Sequence, residues 1–459
     1  MNTVNLKSEI INKFDVSGPR YTSYPTAPEW SVEVKENTYQ DKLTEFSHSN
    51  RTVSLYVHIP FCQSMCTFCA CNVIIRRHDK KYGDEYLNYL FREMDLVSRW
   101  LGTKKKVCQL HFGGGTPNFL NEQQLERLFQ KIQEYFDIDF TGEVAIEVDP
   151  RTISQTKVRF LRQMGFNRIS MGIQDFDLEV QKAVNRIQPF EIVKDLNGWC
   201  RDLKFKSVNF DLIYGLPYQT PERFATTIEK VIDLRPDRIA LYSFAYVPWL
   251  KKHQSKIDPQ SLLTNERKLE IFIQARQKFL EAGYEAIAMD HFAVGEDELA
   301  LAFKEGKLYR NFMGYTVKPA DEYIGFGLTS IGFLENTYFQ NYRTLPKYYG
   351  VLDRNEIPIE RGKILTQDDK MRQWVINSLM CQFQVDKNEF QMRFHYNFDK
   401  YFQEEQSHLH HCCEDDLILL KPDRISVTDL GKFFIRNICM GFDWYLRQKD
   451  AHRQFSKTI

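Results

Sequence analysis

Long apolar runs are missing from this chain: no stretch of 18 apolar residues occurs, and the N-terminal MNTVNLKSEIINKFDVSGPRYTSYPT has no apolar core of signal-peptide length. A membrane span or an export signal is therefore not expected, and the chain reads as cytosolic. A surplus of one charge is missing too. Lys+Arg 61 balance Asp+Glu 61, so no global positive field exists for bulk nucleic-acid binding, and an anionic ligand has to be gripped by a local basic cluster. Cysteine is scarce. Ten in 459 residues are too few for a disulfide scaffold, and a reducing cytosol keeps them as thiols unless a metal takes them. Internal repeats, low-complexity tracts and Gly/Ser linkers are also absent, so the parts of the chain are expected to dock tightly. No long heptad or exposed apolar stripe is evident, and a monomer is the expectation.

What is present is an alternation. From about residue 53 to 246, β-rich runs at Leu55–Phe61, Val107–Phe112, Val144–Val148, Arg168–Gln174, Ser207–Tyr214 and Arg238–Tyr246 are separated by amphipathic segments of helical length. Leu125, Leu128, Phe129, Ile132, Tyr135 and Phe136 make one helix face behind an Asn121 N-cap. Pro221 opens another helix, with Phe224, Ile228, Val231 and Ile232 facing the sheet. Six units in one direction predict an α/β fold, an incomplete (β/α)6 TIM-type barrel, although periodicity alone does not separate it from an open doubly wound sheet. In either, chemistry gathers at the C-terminal ends of the strands. Ala293 to Gly362 reads as loop-rich. Leu417 to Val427 reads as a short β segment, and Thr428 as the cap of a helix through Trp444. The expected division is an N-terminal arm (1–50), a catalytic domain (51–362) and a small, mainly helical α+β C-terminal domain (363–459).

Four of the cysteines, Cys62, Cys66, Cys69 and Cys71, fall within ten residues just after the first strand. The C-x3-C-x2-C spacing of the first three can converge on one soft metal centre. With Cys71 as a fourth ligand the loop would be a structural zinc knuckle. Without it, an iron–sulfur cluster keeps one iron open to a substrate or cofactor.

The surrounding motif, YVHIPFCQSMCTFCAC, resembles the signature of the radical S-adenosylmethionine superfamily. SGPRYTSYPT (17–26), HFGGGTP (111–117), EVDPR (147–151), MGFNRISMGIQDF (164–176), VNFDLIYGLPYQT (208–220), MDHFA (289–293), RNFMGYT (310–316) and RNICMGFDWYLRQK (436–449) extend the resemblance. Together they are similar to the oxygen-independent coproporphyrinogen III oxidase family over almost the whole chain. The resemblance implies a 4Fe-4S cluster on Cys62, Cys66 and Cys69, with S-adenosylmethionine chelating the fourth iron. Electron transfer then splits the sulfonium, and the 5′-deoxyadenosyl radical takes a hydrogen from a propionate β-carbon. Loss of CO2 and a further electron leaves a vinyl group. Two propionates of coproporphyrinogen III react, giving protoporphyrinogen IX in heme biosynthesis, with an electron-donor protein such as flavodoxin or ferredoxin as partner.

The same resemblance assigns Gly114 to the cluster-bound S-adenosylmethionine and Gly115, Thr116, Gln174, Arg186 and Asp211 to a second molecule beside it. It gives Glu147 a ligand amino or hydroxyl group as partner, and has Tyr56, Phe68, Ala245 and Ile331 supply ring or apolar contacts to the two molecules. Each has a plainer reading. Gly113 to Thr116 can be a simple turn, Glu147 can pair with Arg151 or Arg168, and the aromatic and apolar positions can be core. The substrate's propionates need basic or hydrogen-bonding partners, for which Arg20, Tyr21, Tyr24, His291, Arg310 and Asn311 are candidates. The arm that carries the first three is too polar for a core and is expected to fold over the site and exclude water. His408, His410, His411, Cys412 and Cys413 have poor chelate spacing and read as an exposed polar loop, not a site. Thr67 and Ala70 stand where the family pattern has an aromatic residue and a glycine, and Ala70 requires a negative φ. The competing readings are a radical enzyme acting on another tetrapyrrole, a heme chaperone that decarboxylates nothing, and a zinc-stabilised globular protein.

Overall fold

In six successive strands apolar side chains alternate with polar or small ones, so one face of each strand suits packing against helices and the other suits an interior lining. The computed structural model, which describes residues 8–317, 320, 322–448 and 455–458, sets these strands side by side. They are β1 (Val53–Ile59), β2 (Lys105–Gly114), β3 (Phe136–Val148), β4 (Arg168–Gln174), β5 (Ser207–Tyr214) and β6 (Arg238–Ser243), each parallel to the next. Leu55, Val57 and Ile59 of β1, Ile146 of β3, and Val208, Phe210 and Leu212 of β5 are fully buried in the core shared with the outer helices. Tyr56, His111, Glu147, Ser170, Asp211 and Tyr242 point the other way, into cavities enclosed by the sheet.

Charge contacts across that interior decide between barrel and open sheet. Glu143 on β3 lies 3.4 Å from Arg168 on β4 and 3.7 Å from Arg238 on β6. In a flat sheet β3 and β6 would stand about 14 Å apart. Together with one cavity of about 140 Å3 lined from Gln109 on β2 round to Tyr242 on β6, the contact marks the sheet as curled into the incomplete barrel, with Glu143, its two arginines and Gln109, which donates to Glu143 at 2.8 Å, inside the lumen.

The sheet extends further than the alternation predicts. β7 (Tyr284–Ile287), β8 (His291–Val294), β9 (Glu322–Phe326), β10 (Ile331–Leu334), β11 (Thr337–Asn341) and β12 (Ile359–Ile364) complete twelve strands in the order 12-11-10-9-1-2-3-4-5-6-8-7. β9 is parallel to β1, and the other added strands pair antiparallel. The segment read as loop-rich thus holds most of one flank. Its strands are short, and β10 turns into β11 through Glu335-Asn336 at φ 47° and 58°, a hairpin geometry normally signalled by Asn-Gly. Phe136, expected on a helix, begins β3 instead.

Beyond Thr366, whose hydroxyl caps the helix Gln367–Gln382, the chain forms helices around a three-stranded antiparallel sheet of Gln384–Asp386, Arg424–Val427 and Ile418–Leu420. The long helix expected after Thr428 is broken. It comprises a 3-10 turn, Gly431–Phe434, then Ile435–Met440 and Trp444–Gln448. His408 to Cys413 lie on the helix Gln406–Glu414, not in a loop. The N-terminal arm is not too polar for the core: Tyr21 and Tyr24 are 2% and 1% exposed. Tyr21 donates to Asp443 at 3.1 Å, Tyr24 accepts from the Trp444 amide at 3.1 Å, and Arg436 donates to the carbonyls of Gly18, Pro19, Lys457 and Thr458. The first seven residues of the arm and Lys449 of the C-terminal motif lie outside the described residues.

One buried acid fastens the β9–β11 flank to the outer helix Lys80–Leu101. Glu93 accepts from the Gly327 amide at 2.8 Å, Asn341 at 2.5 Å and the Tyr348 hydroxyl at 2.5 Å. Burial pushes its carboxyl up to about 7 despite these donors. Glu93→Ala strands three buried donors and is expected to cost about 3 kcal/mol in denaturant unfolding. A raised folded pKa stabilises below the ordinary carboxyl value of 4.5 and loses that contribution as pH rises through about 7. The wild-type advantage over the variant should accordingly narrow between pH 5 and about 8.

Candidate active site

β1 ends at Ile59 because Pro60 brings no N–H to continue the ladder. The chain then turns into the cysteine loop beside the glycine run that ends β2. Gly115 N–H donates to the Ile59 carbonyl at 2.8 Å and Thr116 N–H to the Phe61 carbonyl at 2.9 Å, while the Thr116 hydroxyl lies 3.3 Å from Cys62 Sγ. A Cβ on Gly115 would stand 2.7 Å from the Pro60 carbonyl, so the glycine is required by the loop itself. Across the loop, Thr67 donates through its amide to the Val184 carbonyl at 3.0 Å and through its hydroxyl to Ala183 at 3.3 Å. Asn185 holds the Met65 carbonyl at 2.8 Å. Ala70 is not among the residues with positive φ, so its Cβ is accommodated.

Cys62, Cys66 and Cys69 border a cavity of about 610 Å3 with Phe68, Gly115, Thr116, Gln174, Arg186 and Asp211. Arg186 Nη1 is 3.7 Å and Arg151 Nη2 4.0 Å from Cys66 Sγ, and both guanidinium groups also contact Asp149, at 3.3 and 2.6 Å. Two cations at one sulfur offset the charge that a thiolate ligand brings into a buried site. Gln174 adopts φ 68°, and its Oε1 is buried with no hydrogen-bond partner among the described residues, as is Arg186 Nε. Three thiols, compensating cations and two orphaned polar atoms suit a metal cluster with a polar organic ligand beside it.

A second cavity, about 630 Å3, shares Cys71, Gly114 and Glu147 with the first and adds Tyr56, His58, Ile331, Lys251, Arg343 and Lys347. Glu147 accepts from the Gly114 amide at 3.1 Å and meets His111 Nε2 at 3.1 Å. Burial pushes its carboxyl up, but the His111 contact and the Gly114 amide outweigh burial and hold it below the usual range. Asp211 sits opposite: burial, and then the Glu147 charge, push it up to about 6, although Asn209 and Ser170 donate to it at 2.9 and 3.1 Å. Two facing carboxyls are thereby driven apart in acidity, the arrangement of a site that handles charge. Burial lowers His58 to about 4. Its Nε2 lies 3.2 Å from the Asn72 carbonyl, which only accepts, so Nδ1 is left to accept the Tyr56 hydroxyl at 3.0 Å.

Residues 56–231 match the radical SAM superfamily, and residues 365–434 match the HemN C-terminal domain. An oxygen-independent coproporphyrinogen III oxidase of Synechocystis is 44% identical over 100% of this chain and 99% of its own length. That of Escherichia coli K12 is 43% identical, with 98% of each chain covered. The solved structure of the coproporphyrinogen III oxidase (HemN) from Escherichia coli, described as a radical SAM enzyme, superposes with a TM-score of 0.91 at 39% identity, covering 97% of this chain and all of that one. The chain belongs to the oxygen-independent coproporphyrinogen III oxidase family. Its membership accounts for the incomplete barrel and for the C-terminal helical region packed beside it.

Of the positions that the family resemblance singled out, Tyr56, Phe68, Gly114, Gly115, Thr116, Glu147, Gln174, Arg186, Asp211 and Ile331 border one or both cavities. Ala245 borders neither. The Glu147 partners expected from sequence are engaged elsewhere, Arg151 with Asp149 and Arg168 with Glu143 and Glu298. None of Arg20, Tyr21, Tyr24, His291, Arg310 and Asn311 borders either large cavity. Arg20 donates to the Ser243 carbonyl at 2.7 Å, His291 meets Asp290 at 2.7 Å, Arg310 stacks on Tyr315 and Asn311 accepts from the Met313 amide at 2.8 Å.

Sequence reasoning missed His58, His111 and the segment after Pro248. Lys251 donates to the Cys71 carbonyl at 3.2 Å, and the His253 ring meets that of Cys69 at 2.7 Å. The buried Gln254 amide holds the carbonyls of Phe68 and Ala245 at 3.0 and 3.1 Å and accepts from Val247 N–H at 2.6 Å. His58 and His111 could have been found from their inward register on β1 and β2. Gln254, one polar residue in KKHQSK, gave no signal. Gln254→Ala is expected to loosen the cysteine loop by about 2 kcal/mol, roughly halving the iron retained after anaerobic reconstitution while far-ultraviolet circular dichroism stays unchanged.

Proposed function

We propose that this chain carries out the oxygen-independent oxidative decarboxylation of two propionate side chains of coproporphyrinogen III to vinyl groups, giving protoporphyrinogen IX. The supporting observation is the three-cysteine cavity at the strand ends, in a chain 43–44% identical, end to end, to enzymes with that name. When bound, a 4Fe-4S cluster and S-adenosylmethionine supply one-electron chemistry able to take hydrogen from a propionate β-carbon. Cys62, Cys66 and Cys69 hold the cluster, and Arg151 and Arg186 balance its charge.

In this reading Tyr56, Gly114, Glu147 and Ile331 bind the cluster-bound cofactor, with Glu147 accepting from its amino or hydroxyl groups. Phe68, Gly115, Thr116, Gln174, Arg186 and Asp211 receive a second molecule, and Ala245 acts through the Gln254 bond that ties it to Phe68. The amides of Gly115 and Thr116 are committed to the cysteine loop, so these two residues offer the ligand their carbonyls and the Thr116 hydroxyl. Lys251 and Lys347, bordering the cavity of about 630 Å3, supply positive charge for propionates, with Arg343 held beside them by Glu360 at 2.7 Å, in place of Arg20, Tyr21, Tyr24, His291, Arg310 and Asn311. Residues 51–362 are then the catalytic unit and 363–459 the part that buries the N-terminal arm against it.

In an anaerobic assay with coproporphyrinogen III, S-adenosylmethionine and a strong reductant, reconstituted Cys66→Ser should lose both the brown colour and the product, whereas Cys71→Ser should keep the cluster. Product from colourless Cys66→Ser would end the proposal. Asp211 gives a second test. Its raised folded pKa stabilises below 3.8 and loses that contribution as pH rises through about 6, where the buried charge opposes folding. Asp211→Asn is therefore expected to raise the melting midpoint of the ligand-free chain at pH 8 by about 2 °C, while reducing the further stabilisation that S-adenosylmethionine gives.

A further inference from the structure

An electron has to reach the cluster from outside, and the surface behind the cysteine loop is unlike the rest of this net-neutral chain. Trp249 and Leu250 are 58% and 59% exposed, side by side, and adjacent exposed apolar residues of this size mark contact surfaces. They are followed at once by Lys251, His253 and Gln254, which grip the carbonyls of Cys71, Cys69 and Phe68. The pair is thus fastened to the cysteine loop by side chains of its own segment. Lys252 and Lys256 are exposed beside it, and from 248 to 262 the sole acid is Asp258, which caps Gln260 N–H at 3.0 Å. Ile257 shares a buried apolar cluster with Val180 and Val184, so the segment is also anchored to the chain just before Arg186. Ile187, 54% exposed, follows the Arg186 that lies 3.7 Å from Cys66 Sγ.

We infer that this patch is the docking site of a small acidic one-electron carrier protein. Its apolar centre would be Trp249 and Leu250, and its basic rim Lys252 and Lys256. The rim steers an acidic partner, and its position over the loop that carries Cys66 and Cys69 selects a redox protein, since neither an anionic membrane nor a nucleic acid would use closeness to the cluster. The inference rests on the reading that the three cysteines hold a reducible cluster.

The test uses the iron-reconstituted full chain and follows anaerobic cleavage of S-adenosylmethionine, once with dithionite and once with a photoreduced acidic flavodoxin as the probe. For K252E/K256E, the flavodoxin concentration giving half-maximal rate should rise about tenfold at low salt, and the difference from wild type should shrink as salt screens the rim. Trp249→Ala should slow the flavodoxin-driven reaction at every salt concentration. The dithionite-driven rate of both variants should stay within about twofold of wild type. Unchanged dependence on flavodoxin would overturn the inference. So would equal losses with both reductants, because the segment would then serve only to hold the cysteine loop. A wild-type chain that takes up no iron would instead remove the reading beneath it.

Discussion

The site depends on the pairing of β1 with β2 continuing past the ends of both strands. Ile59 and Gly114 are still in register, and the next two amides, of Gly115 and Thr116, bond back to the Ile59 and Phe61 carbonyls. Pro60, which cannot donate, forces the departure into the cysteine loop at that point. The three thiols are therefore carried at the edge of a rigid ladder, and a Cβ at Gly115 would push directly on the Pro60 carbonyl that anchors it. Sites built on strand ends hold geometry better than sites on free loops.

Around that ladder the barrel separates charge by depth. Deep in the lumen Glu143 is matched in charge by Arg168 and Arg238 at 3.4 and 3.7 Å, although Glu143 Oε1, Arg168 Nε and Arg238 Nη2 make no hydrogen bond within the described residues. Near the cysteines the balance is left incomplete. Cys66 faces two guanidinium groups, Glu147 has a histidine and an amide, and Asp211 retains a costly charge above about pH 6. Gln174 Oε1 and Arg186 Nε make no bond at all within the described residues. Polar groups in a lumen that are not paired by the protein are where a ligand gains most from binding.

Much of this was legible from the chain alone where one residue pattern has one physical meaning. The β-rich runs of β1 to β6, the Asn121 helix cap, the helix start at Pro221 and the C-x3-C-x2-C spacing each specify local geometry, and the elements they predict are found. Legibility failed where geometry came from distant partners. β9 to β12 have few residues each and turn through Glu-Asn in place of Asn-Gly, so nothing local announced them. Tyr21 and Tyr24 looked too polar to be buried because Asp443 and the Trp444 amide, more than 400 positions away, were needed to satisfy them.

The sequence by itself determined the succession of strands and helices along the barrel segment and the soft-metal loop, because these follow from side-chain pattern and from spacing within a few residues. Only the tertiary structure decided which inward groups are already taken. It gave Arg168 to Glu143, Arg151 to Asp149, Arg343 to Glu360 and Arg20 to a carbonyl, and it set Lys251 and Lys347 beside the cavity. A basic side chain carries no local mark of its partner, since the energy of a charge pair depends on distance and burial, which only the folded chain supplies.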